Sequence, residues 1–101
     1  MSHLEALQEW YALMCDGDWE HSFGIKIGTV DNPGWVVSID ITETPVSGRT
    51  WTMDEEFSTG EWLRIKCDGK VFHVVCGPRS LDRGIEAFLR FADQNAGRLQ
   101  A

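Results

Sequence analysis

Between Asp16 and His21 the chain sets three carboxylates (Asp16, Asp18 and Glu20), the indole of Trp19 and an imidazole within six residues, directly after the thiol of Cys15. Carboxylates at alternate positions are how a calcium loop begins. Counted from Asp16, however, the sixth residue is His21 where that loop needs Gly, and the twelfth is Ile27 where it needs Glu. Cys15 and His21 hold the parts of a thiolate–imidazole pair. No glycine-rich oxyanion loop accompanies them, and a Cys in the last turn of an amphipathic helix is ordinarily a small core residue. His73, on a strand facing Arg64, reads as a surface side chain rather than a general base. Phosphate-binding glycine loops, Ser-His-Asp signatures and a His-Glu-x-x-His motif are all missing from the sequence. The expectation is therefore a protein with no catalytic residues, no metal and no cofactor.

Binding is the chemistry that remains. A partly exposed Trp ringed by carboxylates is how protein interfaces build an anchor with a polar rim. Trp19 and Trp35 both stand beside polar turn chemistry, the second after Asp31-Asn32-Pro33-Gly34. The expected partner-binding set is thus Asp16, Asp18, Trp19, Glu20 and His21 from one stretch, with Asp31, Asn32 and Trp35 from the other. Two readings compete with it. One is a small metal- or Cys-dependent enzyme using the Cys15–His21 cluster; the other is a structural clasp, in which buried Asp or His side chains satisfy backbone groups and tie the first helix to the first hairpin. Trp10, Trp51 and Trp62 read as core or core-edge residues.

The elements that must position these residues follow from periodicity. Leu4, Leu7, Tyr11 and Met14, flanked by Trp10 and Leu13, mark one broad face of a helix over 3–14. Ser2 and Glu5 have capping-box spacing, and Gly17 offers the left-handed residue that ends a helix. A strand is expected over about 23–29, with Ile25 and Ile27 on one face and something packed close to Gly24 and Gly28. Pro33-Gly34 suits a type II turn, leading to a second strand over 35–42 whose Trp35, Val37, Ile39 and Ile41 share a face. Residues 43–48 read as a loop, and 49–57 as a short strand fading into Asp54-Glu55-Glu56. Strands 62–67 and 71–76 flank Asp68-Gly69, a two-residue hairpin signal that pairs Cys67 with Lys70, Ile65 with Phe72, Leu63 with Val74 and Glu61 with Cys76. Ser80 caps a last helix with a buried stripe of Leu81, Ile85, Phe88, Leu89 and Ala92, ended by Gly97. The result is an α+β fold: an antiparallel sheet of four to five strands, with an N-terminal and a C-terminal helix packed on one face.

Composition limits what this scaffold can do. At 101 residues, 43% hydrophobic and 25% charged, the chain reads as one globular domain over 1–101. Sixteen acidic against nine basic side chains give a net charge of −7, which repels a phosphate backbone and favours a basic protein partner. Direct nucleic-acid binding is not expected. Three Cys without zinc-type spacing read as reduced thiols. No apolar run reaches the roughly 18 residues of a membrane span, and the first residues lack a basic region followed by an apolar one, so a cytoplasmic location is expected.

Four segments together resemble a known family. Leu-Gln-Glu-Trp-Tyr at 7–11, Cys-Asp-Gly-Asp-Trp-Glu-His at 15–21, Gly-Ile-Lys-Ile at 24–27 and Asp-Asn-Pro-Gly-Trp at 31–35 look like the immunity protein 53 family of bacterial polymorphic toxin systems. The likeness continues more loosely through the hairpin from Trp62 to Cys76 and the final helix. It implies a small cytoplasmic protein that binds and neutralises a cognate toxin domain, protecting the producing cell and its kin. It implies no particular toxin activity and no catalytic residue. An acidic inhibitor would complement the basic cleft that a nucleic-acid-attacking toxin needs.

Overall fold

The computed structural model describes residues 1–95. The first helix, α1 (His3–Met14), starts at the expected capping box: the Ser2 hydroxyl accepts from the Glu5 amide at 3.0 Å, and the Glu5 carboxylate accepts from the Ser2 amide at 2.8 Å. A one-turn helix, α2 (Trp19–Ser22), follows inside the stretch read as a helix exit. Five strands come next: β1 (Ile25–Val30), β2 (Gly34–Asp40), β3 (Thr50–Glu56), β4 (Trp62–Asp68) and β5 (Val71–Cys76). The chain closes on α3 (Leu81–Asn95). Gly97, the expected end of that helix, lies outside the described residues.

The strands form one antiparallel sheet in the order β1-β2-β5-β4-β3. Side chains alternate as the sequence pattern requires. Val37, Ile39, Leu63, Ile65, Cys67, Phe72, Val74 and Cys76 are all buried and share the face covered by the helices. Ile85, Phe88, Phe91 and Ala92 bring α3 down onto β4 and β5, while Leu7 and Trp10 bring α1 alongside α3. Phe88 sits at the junction, edge-on to Trp10 of α1 at 4.8 Å and to Phe72 of β5 at 5.1 Å.

Several local expectations are corrected. The β4–β5 register pairs Cys67 with Phe72, Ile65 with Val74 and Leu63 with Cys76. The loop is therefore Gly69-Lys70 rather than Asp68-Gly69. Asp68 lies before the turn, and its carboxylate accepts from the amides of Lys70 and Val71, both at 2.9 Å. Segment 50–56 does not fade at its acids but pairs along its whole length, through Glu56 opposite Trp62. No type II turn forms at 31–34. The Asn32–Pro33 peptide is cis, and Gly34 belongs to β2 opposite Val30. Close backbone packing falls on Gly34 rather than on Gly24 or Gly28. A Cβ on Gly34 would collide with the Cys76 carbonyl, whereas one on Gly24 would meet nothing within 4 Å and one on Gly28 only Val36 at 3.8 Å. Trp62 is half-buried on the outer face of the sheet beneath the Arg64 guanidinium, at 5.3 Å, and is not a core residue.

Candidate functional site

The stretch 15–24 is built by its own carboxylates. Asp16 Oδ1 accepts from the amides of Asp18 and Trp19, both at 2.9 Å. Glu20 reaches back so that its two oxygens accept from the amides of Asp16 at 3.0 Å and Gly17 at 2.9 Å. Four backbone donors are thereby satisfied by two side chains, a reciprocal arrangement close to a capping box, with Gly17 at φ 94° making the bend between them. Asp40 Oδ2 accepts from the amide of Gly24 at 2.9 Å. These contacts hold the Asp16 carboxyl below the usual carboxylate range, chiefly through the amide of Trp19 and then that of Asp18.

Trp19 is the point where structure and expectation part most. It is 3% exposed and cannot be a partly exposed anchor. Its indole N–H donates to the Thr42 carbonyl at 2.9 Å. The ring packs among Trp10, Tyr11 and Phe23 at centroid distances of 6.1, 6.1 and 5.9 Å. A large apolar ring with one donor is satisfied by this pocket, which ties α1, α2 and the turn after β2 together. For Asp16, Trp19 and Glu20 the geometry is that of the clasp.

The other members of the predicted set lie differently. Asp18 is exposed just before α2 and His21 is exposed on it, Asp31 and Asn32 are exposed at the hairpin turn, and Trp35 is half-buried with its indole N–H donating to the Pro78 carbonyl at 3.0 Å. The two groups are not brought into one patch. They flank opposite ends of β1, whose six residues span roughly 17 Å at the usual rise per residue.

Cys15 neighbours the Tyr11 hydroxyl, and that hydrogen bond raises the Tyr11 pKa. Burial raises the thiol pKa of both Cys67 and Cys76, the opposite of what a nucleophilic thiolate needs. Among the described residues no group of three His, Cys, Asp or Glu side chains is placed to hold a metal ion. His73 is paired with Lys66 rather than Arg64, and its Nδ1 lies 3.1 Å from the Ser38 hydroxyl.

One structural carboxylate escaped the sequence reading. Glu61 Oε1 accepts from the Ser80 hydroxyl at 2.7 Å and the Arg79 amide at 3.0 Å. Ser80 does hold the cap position of α3, since its carbonyl accepts from the Gly84 amide at 3.0 Å, but its hydroxyl is turned to Glu61. The signal was a lone acid before β4, with no local spacing to link it to residues nearly twenty positions away.

The clasp makes a prediction with a defined pH dependence. Because the folded pKa of Asp16 lies below its unfolded value, its stabilisation is fully present above the ordinary carboxylate pKa and is lost as pH falls through the folded one. Asp16→Asn should therefore lower the thermal midpoint at neutral pH, and the gap to wild type should narrow on acidification. A gap independent of pH down to pH 2 would show that the charge of Asp16 contributes nothing.

A family model described as Immunity protein 53 matches residues 4–93. No curated protein and no solved structure matches the chain.

Proposed function

Because this chain belongs to the immunity protein 53 family, we propose that it acts as an inhibitor without catalysis of its own, neutralising a cognate toxin domain by binding it in the cytoplasm of the producing cell. The family match over 4–93 is the observation that carries this reading. Supporting it, the carboxylates of Asp16 and Glu20, two of the groups in the cluster that the enzyme alternative would use, are engaged by backbone amides. Among the described residues no helix is long and apolar enough to cross a membrane.

The contact surface is acidic in this reading. Asp18, His21, Asp31 and Asn32 keep their side chains exposed, and a chain of net charge −7 would steer a basic partner toward them. Trp19 leaves the proposed contact set and Trp35 stays at its margin.

The test is to express the chain with the toxin domain encoded by the neighbouring reading frame. Co-purification and restored growth are expected. Asp18→Asn with Asp31→Asn should slow association several-fold at low salt and much less near 0.5 M, where the Debye length is only about 4–5 Å. Turnover of nucleic acid, peptide or ester by the isolated chain, abolished by Asp18→Asn, would instead establish an enzyme.

A further inference from the structure

The sheet has two edges, β1 and β3, and they are protected differently. In an antiparallel pair, residues that exchange hydrogen bonds alternate with residues that do not. The Asp40 amide donates to the Gly24 carbonyl at 3.0 Å, which fixes the phase at β1: Lys26, Gly28 and Val30 turn their backbone groups to β2, while Ile25, Ile27 and Thr29 turn theirs outward. At β3 the Phe57 amide donates to the Glu61 carbonyl at 2.8 Å, so Thr50, Thr52, Asp54 and Glu56 face outward. Half of those β3 residues are carboxylates, the kind of charge with which edge strands resist pairing. The three outward residues of β1 carry no charge.

The β1 edge also borders an apolar groove. Ile25 and Ile27 line it with Leu4, Leu7 and Tyr11 of α1. Leu4, Tyr11 and Ile27 are 54%, 38% and 42% exposed, and they are three of the five large hydrophobic side chains exposed among the described residues. Single exposed apolar residues need no explanation, but a cluster along an unpaired strand does. Strand addition uses both features at once: main-chain hydrogen bonds along the edge, and a groove for alternate side chains.

Charge identifies the occupant. Asp16, Asp18 and Glu20 precede β1 and Asp31 follows it, so the strand is acidic at both ends. A second copy pairing antiparallel along β1 would bring the Asp31 end of each chain to the acidic loop of the other, joining two chains of charge −7 acid to acid. A segment with basic residues at its ends meets no such penalty. Resting on the reading that this chain binds a cognate toxin domain, we propose that an extended segment of that domain adds to β1 as a sixth strand. Its alternate side chains are apolar and fill the groove beside α1, and Lys or Arg at its two ends meet Asp18 and Asp31.

The experiment is residue-resolved hydrogen exchange on this chain, alone and saturated with the toxin domain encoded by the neighbouring reading frame. Exchange at the Ile25, Ile27 and Thr29 amides should slow at least about tenfold in the complex, while Thr52 and Asp54 are unchanged. In parallel, Ile27→Lys should weaken binding at least about tenfold with an unchanged melting temperature, and Thr52→Lys should not. A complex that forms without protection of β1 overturns the proposal and leaves the inhibitor reading standing. Absence of any complex with the wild-type chain overturns both. Protection of the same three amides in the chain alone, rising with concentration together with a dimer mass in light scattering, assigns the edge to a second copy and overturns the proposal. Should Ile27→Lys not fold, exchange in the wild-type chain with and without the toxin domain decides.

Discussion

Phe88→Ala is expected to lower the free energy of unfolding by about 3–5 kcal/mol, the usual cost of emptying an aromatic site in a core. The side chain is fully buried and touches both neighbouring layers: its ring lies edge-on to Trp10 of α1 and to Phe72 of β5. Truncation removes the apolar burial and leaves a cavity between three elements, and α1 has few other buried anchors, Leu7 chief among them. Since domains of this size are stable by only about 5–15 kcal/mol, the variant should melt well over 10 °C lower or fail to accumulate. Phe88→Leu keeps most of the volume and should cost far less. Urea titrations of the three proteins check this, and a midpoint for the alanine variant equal to wild type would mean that α3 does not pack through Phe88.

Phe88 was legible because its helix repeats apolar residues at one period and its stripe has one place to go. The layer order, the two helices and the alternation of β2, β4 and β5 were legible for the same reason. What failed was information that parity does not carry. Pairing Cys67 with Lys70 or with Phe72 leaves every side chain of the hairpin on the same face, so the apolar pattern is equally satisfied by both registers. The choice falls to Asp68, whose carboxylate closes the turn over the Lys70 and Val71 amides and moves the loop one residue on. At 54–56 three consecutive acids read as an ending, because solvation favours their exposure and their pattern carries no sign of their pairing. On an edge strand, outward acids are compatible with a full ladder to β4.

The candidate site misled in a more instructive way. Carboxylates around a Trp describe an interface rim, and they equally describe a loop whose amides need acceptors. The discriminating spacing was present: Asp16 stands three residues before Trp19, and Glu20 stands four after Asp16, close to the reciprocal pattern by which helix starts are capped. Exposure of Asp18 and Asp31 was legible from their places beside tight turns. That the two acidic groups lie at opposite ends of β1 is already implied by the strand expected over about 23–29, whereas the uncharged edge between them follows from the pairing with β2.

Trp19→Ala carries the second large effect, and it separates the loop as clasp from the loop as contact. With the indole 3% exposed and set among Trp10, Tyr11 and Phe23, its loss should lower stability by about 3–5 kcal/mol. Trp19→Phe retains a ring but strands the Thr42 carbonyl, which now accepts the indole N–H, and should cost on the order of 1–3 kcal/mol more than packing alone explains. Because Trp10 also contacts Phe88, the damage should reach the main core, and the double variant with Phe88→Ala should depart from additivity. Binding is the second axis of the measurement. If the indole only supports the loop, the folded fraction of Trp19→Phe binds the toxin domain with wild-type affinity, and any loss of apparent affinity equals the fraction unfolded in denaturation at the same temperature. If the indole is itself a contact, Trp19→Phe loses tenfold or more in affinity while its unfolding midpoint stays at the wild-type value. The buried geometry requires the first result, and the second would mean that α2 opens to present Trp19 when the partner arrives.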